Sequence, residues 1–314
     1  MKLNLLFATA CSFLLASLLG FAADDPPATD PNAPTTLAAD DAATAPHLLS
    51  RIVCVGASAT NGFMVSYRAT DEATGRSQRM NIKMREIIRA GIDVAEPASS
   101  EEMTLEPKFA DYSDLMFFLD SPRVGRRLWA RTVKAQPTLI IAIDFLFWFS
   151  YGDRNAASEP LRSEEERLAL LDLGLDLLAS ANCRVIVGDV PDMSAAVGGM
   201  LSRAQMPENQ TLERVNQRIH EWAKTQPHIT VVPLADLIAK MNSNEEIVIG
   251  RYTWPAGSRD RLIQPDELHP TLDGMIALAQ MVANAIEDLG VDLQPATLNL
   301  DPAHVRSRLD ASGQ

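Results

Sequence analysis

The chain has 314 residues, 46% of them apolar and 22% charged, which suits one large globular domain or two small ones. Its formal net charge of −13 argues against nucleic acid and anionic membrane surfaces as partners. Three cysteines, with no Cys-x-x-Cys or Cys/His cluster, offer no metal-site spacing.

In chain order, the first feature reads as a secretory leader. Lys2 is a minimal positive start, Leu5 to Leu19 is apolar but shorter than a typical membrane span, and Gly20, Ala22 and Ala23 are small. The signal peptide is expected over residues 1–22, with export to the periplasm or the extracellular space. If the leader is retained, it is the one membrane attachment. Cys11 lies within the apolar run rather than after it, so it does not read as a lipid-attachment site. Residues 23–46 are Ala, Asp, Pro and Thr with almost no large apolar groups, too little to offset ordering entropy, and read as a linker. A folded domain is expected over 47–291 and a weakly patterned tail over 292–314.

Within the domain, Arg51 to Gly56 is a short apolar run ending in glycine, as in a buried parallel strand. Met80 to Ala90 has helical spacing before Gly91. A second strand is expected near Met103, and a helix over Val124 to Gln136. Thr138 to Asp144 is the strongest strand signal. Ser163 and Glu166 form a capping-box pattern for a helix over Ser163 to Ser180. A strand follows over Cys183 to Val190, stopped by Pro191. Leu212, Val215, Ile219 and Trp222 share one face of a helix. Ile229 to Val232 reads as a strand and Leu272 to Leu289 as the last helix. This alternation predicts an α/β fold, a three-layer α/β/α sandwich with a mainly parallel sheet. Such sheets carry their sites at the carboxyl ends of strands, where Ser58 and Asp144 both fall.

Two segments carry chemistry. Gly56-Ala57-Ser58 places a serine on a turn after the first strand, and Asp266-Glu267-Leu268-His269-Pro270 precedes the last helix. Of the five histidines, His269 alone reads as sitting in a loop; Asp266 precedes it by three residues and Pro270 follows it. Serine, histidine and aspartate together supply a nucleophile, a base and a carboxylate to orient the base.

These two blocks resemble those of the SGNH (GDSL-like) hydrolases, which keep a Gly-Asp-Ser block after strand one and a late Asp-x-x-His-Pro block. The resemblance spans most of residues 50 to 290 and includes the Val-Ile-Val-Gly-Asp-Val-Pro strand. It implies a flavodoxin-like fold and an esterase, lipase, thioesterase or carbohydrate deacetylase with Ser58, Asp266 and His269 as catalytic residues. The chain departs from the family at three places. Ala57 replaces the aspartate of the first block. Asp144 stands where the family carries an asparagine that donates to the oxyanion; an ionised carboxylate repels that charge and a protonated one donates to it. The family's second-block glycine, also an oxyanion donor, corresponds to Gly125 or to Gly91. The aromatic run Phe145, Phe147, Trp148, Phe149 and Tyr151 either lines an acyl or sugar pocket or packs in the core.

The expectation is an exported serine hydrolase acting on a small-molecule or carbohydrate ester through an acyl-Ser58 intermediate, with no cofactor and no metal. The alternative is a catalytically weak module that binds a glycan or acyl group in the same cleft.

Overall fold

The computed structural model describes residues 46–70, 75, 77–96, 105–155 and 157–312. The expected leader, all of the expected linker but residue 46, and Met103 and Thr104 of the expected second strand lie outside the described residues.

Five strands form the central sheet: β1 (Arg51–Gly56), β2 (Lys108–Ser113), β3 (Leu139–Ala142), β4 (Arg184–Gly188) and β5 (Ile229–Val232). All neighbours pair in parallel, in the order β2-β1-β3-β4-β5. The two-residue period of a strand divides each apolar run between two cores. Ile52 and Cys54 of β1 face one core and Val55 the other; Leu139 and Ile141 of β3 oppose Ile140 and Ala142; Ile186 of β4 opposes Val185 and Val187.

Among the described residues, seven helices of seven residues or more cover the two faces: α1 (Met84–Ala90), α2 (Ser121–Lys134), α3 (Glu164–Ala179), α4 (Asn209–Lys224), α5 (Leu234–Asn242), α6 (Leu272–Asp288) and α7 (Pro302–Ser312). Side chains of α1, α5, α6 and α7 fill the first core, and those of α2, α3 and α4 fill the second. The architecture is the three-layer α/β/α sandwich that the alternation predicts.

The segment after residue 291 is not a loose tail. Ala296–Leu298 pairs antiparallel with Ile92–Val94, and Leu300, Val305 and Leu309 are buried in the first core. Val305 and Leu309, four apart, are too few to mark a helical stripe in the sequence, but the neighbouring α1 and α6 give them a surface to cover. The second strand of the sheet is Lys108–Ser113. As an edge strand it is half-buried and polar, with Phe109 and Tyr112 lying under the guanidinium groups of Arg89 and Arg131. The aromatic run after Asp144 is mainly core: Phe145, Trp148, Phe149 and Tyr151 are buried among α2 and α3, and Phe147 alone of the run reaches the cavity described below. Cys54 and Cys183 are free thiols, and burial pushes that of Cys183 up to about 11. Among the described residues, no helix is long and apolar enough to cross a membrane.

Candidate active site

In this strand order the sheet changes direction between β1 and β3, so their carboxyl ends open a crevice. The chain leaving β1 turns at Ala57 into a single helical turn, Ser58–Asn61, closed by Gly62 in the left-handed region at φ 68°. So short a helix leaves its leading N–H groups without internal acceptors. Asp144, just beyond the end of β3, satisfies them. Its Oδ2 accepts from Ala59 N at 2.8 Å and Thr60 N at 3.1 Å; its Oδ1 accepts from Ala57 N at 3.0 Å and Thr60 Oγ1 at 2.5 Å. Asn61 N donates to Ala57 O. Among the described residues, Ser58 N is left with no acceptor.

Gly56 makes this arrangement possible. A Cβ there would lie 2.0 Å from Asp144 Oδ1 and 2.5 Å from Thr60 Oγ1. The glycine ending β1 is required by the close approach of a carboxylate.

Asp144 keeps partial exposure as a residue, while its carboxyl group is enclosed by protein. Burial pushes that carboxyl above the usual aspartate range; the Thr60 hydroxyl and three backbone N–H groups pull the other way. Its two oxygens are therefore engaged with the serine turn. This differs from the oxyanion-donor position expected from the family pattern: Asp144 accepts where the asparagine donates. The departure at Ala57 fits the same picture, because a carboxylate from the neighbouring strand holds the turn from outside it.

The second segment is a tight loop between Ile263 and Pro270, which form an antiparallel bridge. Gln264 N donates to His269 O at 2.8 Å, and Glu267 adopts φ 64° to close the turn. Within it, Asp266 Oδ1 accepts from the amides of Leu268 and His269, both at 3.0 Å, and Oδ2 lies 2.7 Å from His269 Nδ1. Burial pushes the Asp266 carboxyl up, but these hydrogen bonds and the facing imidazole outweigh it and hold the carboxyl below its ordinary value. His269 is 3% exposed, with its ring 4.3 Å from that of Phe63. Gln264 Nε2 ties the two segments together, donating to Phe63 O at 2.8 Å and Pro270 O at 2.7 Å.

Ser58 and His269 line one cavity of about 90 Å³. Asp266 stands behind the ring and not in the wall. Among the described residues, no hydrogen bond joins Ser58 Oγ to the imidazole. The other polar side chains in the wall are Asp144 and Asp189. Asp189 follows β4 and is spoken for: Oδ1 accepts from Ala235 N at 2.8 Å at the start of α5, and Oδ2 lies 3.2 Å from His220 Nε2. Burial raises its carboxyl above the ordinary range, against the pull of the Ala235 amide and His220.

Neither glycine expected as an oxyanion donor lies in the cavity wall. Gly125 is inside α2, where a Cβ would come within 2.5 Å of Phe149 Cζ; it is the small partner of the Phe117–Phe149 cluster. Gly91 ends α1, donates to Ile87 O and packs on Leu300. What Gly56, Thr60 and Gln264 do is not legible in the sequence. Their roles depend on which strand ends are adjacent, and a lone glycine, threonine or glutamine gives no signal of that.

No protein-family model matches the sequence, and no curated protein does either. Among solved structures, the chain is similar to a gut microbial diltiazem-metabolizing enzyme, with a TM-score of 0.45 and 14% sequence identity. The match covers 75% of this chain and 46% of that one, so the chain spans less than half of that enzyme's length.

Proposed function

We propose that the protein is an SGNH-like serine hydrolase that cleaves a carboxylic ester through an acyl-Ser58 intermediate. The observation that carries this reading is that His269, paired with Asp266 at 2.7 Å, lines the same cavity as Ser58 at the carboxyl edge of the sheet. In the proposed mechanism, Ser58 Oγ attacks the ester carbonyl carbon while the free ring nitrogen of His269 takes its proton. Asp266 holds the Nδ1–H tautomer and stabilises the imidazolium. The carbonyl oxygen, now negative, takes the unclaimed Ser58 N–H. His269 returns the proton to the leaving alkoxide, and the alcohol departs. Water, activated by the same imidazole, then releases the acid and regenerates Ser58. Export through the leader over residues 1–22 belongs to this proposal.

A specific observation favours a second reading, a catalytically weak module that binds a glycan or acyl group. Ser58 Oγ makes no hydrogen bond to His269 among the described residues. Catalytic bonds of this kind often tighten only when substrate is bound, so we place hydrolysis first. Hydrolysis of p-nitrophenyl acetate by wild type and Ser58→Ala decides between them: the enzyme reading expects turnover that the substitution removes. The binding reading expects none from either protein.

A further inference from the structure

The cavity behind Ser58 has the chemistry of an acyl pocket. Part of its wall is one face of α5, with Leu234, Leu237, Ile238 and Met241 at the i, i+3, i+4, i+7 spacing of a helical stripe. Leu262 and Leu278 add to the apolar lining. Four polar side chains reach the wall: Ser58, Asp144, Asp189 and His269. The oxygens of Asp144 are occupied by four donors from the serine turn, and those of Asp189 by Ala235 N and His220. What remains to bind substrate is the Ser58 hydroxyl and amide, the free nitrogen of His269 and the acceptor capacity Asp189 keeps beside its two donors. A sugar seated there would bury several hydroxyls without partners, which is unfavourable. An alkyl chain leaves nothing unsatisfied.

Size narrows the class further. A dry apolar cavity of roughly 150 Å³ accepts a six-carbon ring. On that scale the volume of about 90 Å³ here holds a chain of roughly four carbons. Resting on the hydrolase reading above, we propose that the enzyme selects esters of short apolar acyl groups near butyryl in length, seated on the α5 face, with the alcohol half on the open side of Ser58.

The test measures kcat/KM for p-nitrophenyl acetate, propionate, butyrate, hexanoate and octanoate, beside a series of alkyl acetates. Each methylene taken from water into the cavity is worth up to about fourfold. Butyrate is therefore expected to exceed acetate by about tenfold, with a fall beyond hexanoate, while the alkyl acetates stay within a few-fold of one another. Ile238→Trp, at a half-buried wall position, is expected to lower the butyrate-to-acetate ratio at least tenfold. Met241→Ala is expected to move the optimum to longer chains, so either variant reads the pocket if the other fails to fold. If Ser58 reacts with a fluorophosphonate but the acyl series is flat, or chain length matters only in the alcohol series, the acyl-pocket inference falls and the hydrolase reading stands. If Ser58 does not react and no ester turns over, both fall.

Discussion

Asp144 and Thr60 meet across the gap between two parallel strands, with the Thr60 hydroxyl donating at 2.5 Å to a carboxylate that also takes three backbone N–H groups of the Ser58 turn. The Ser58 turn is thus built on β1 and fastened from β3. Because the carboxylate takes the Ala57, Ala59 and Thr60 amides, Ser58 N is the amide of the turn left without an acceptor among the described residues.

Asp144→Asn tests that fastening. The new amide oxygen can keep the Ala59 and Thr60 bonds and its NH₂ can donate to Thr60 Oγ1, but Ala57 N then faces a donor. One buried N–H left unpaired costs about 1–3 kcal/mol. Chemical denaturation is expected to show a loss of that size, with ester turnover reduced at least tenfold. A rise in turnover would instead make Asp144 the oxyanion-facing residue that the family pattern suggests.

Gly56→Ala challenges the same contact from the other side. The added methyl falls 2.0 Å from Asp144 Oδ1, so the carboxylate has to leave the turn. Overpacking of this kind costs roughly 1–3 kcal/mol. The variant is expected to melt at lower temperature and lose esterase activity, and wild-type behaviour would show that the carboxylate is not needed at that position.

Much of the layering is readable in the sequence because both faces of β1, β3 and β4 are buried, which forces unbroken apolar runs. The edge strand Lys108–Ser113 escapes notice because half its surface meets solvent and its aromatic residues are covered by arginines. Ser58, Asp266 and His269 stand out as a set because a turn serine and a loop Asp-x-x-His are the residue types of a nucleophile, its base and an orienting carboxylate. The link between Asp144 and the Ser58 turn is invisible in one dimension, because it requires knowing that β1 and β3 are neighbours. Gly125 misleads for a related reason: its smallness serves Phe149, which is distant in sequence.

If Ser58 and His269 act as one unit, their losses do not add. Ser58→Ala and His269→Ala are each expected to remove nearly all p-nitrophenyl acetate hydrolysis, and the double variant is expected to be no worse than either. Steady-state kinetics checks this, and multiplicative losses would separate the two residues.

Asp266 gives a pH signature. Its carboxyl is held below its ordinary value in the fold, so an unfolded chain binds that proton more readily. The stability it contributes is present above the ordinary aspartate range and is lost as pH falls through the lowered folded value. Melting temperatures of wild type and Asp266→Asn are expected to differ most near neutrality and to converge on acidification. A gap that widens in acid would reverse the sign. The same substitution is expected to lower kcat by up to about four orders of magnitude, as when a triad aspartate loses its acceptor.

The most direct measurement of the central claim is intact and peptide mass spectrometry after treatment with a fluorophosphonate. The account predicts a single adduct, mapped to Ser58, that disappears in Ser58→Ala and is strongly slowed in His269→Ala. An unlabelled protein, or an adduct on another serine that persists in Ser58→Ala, would contradict it.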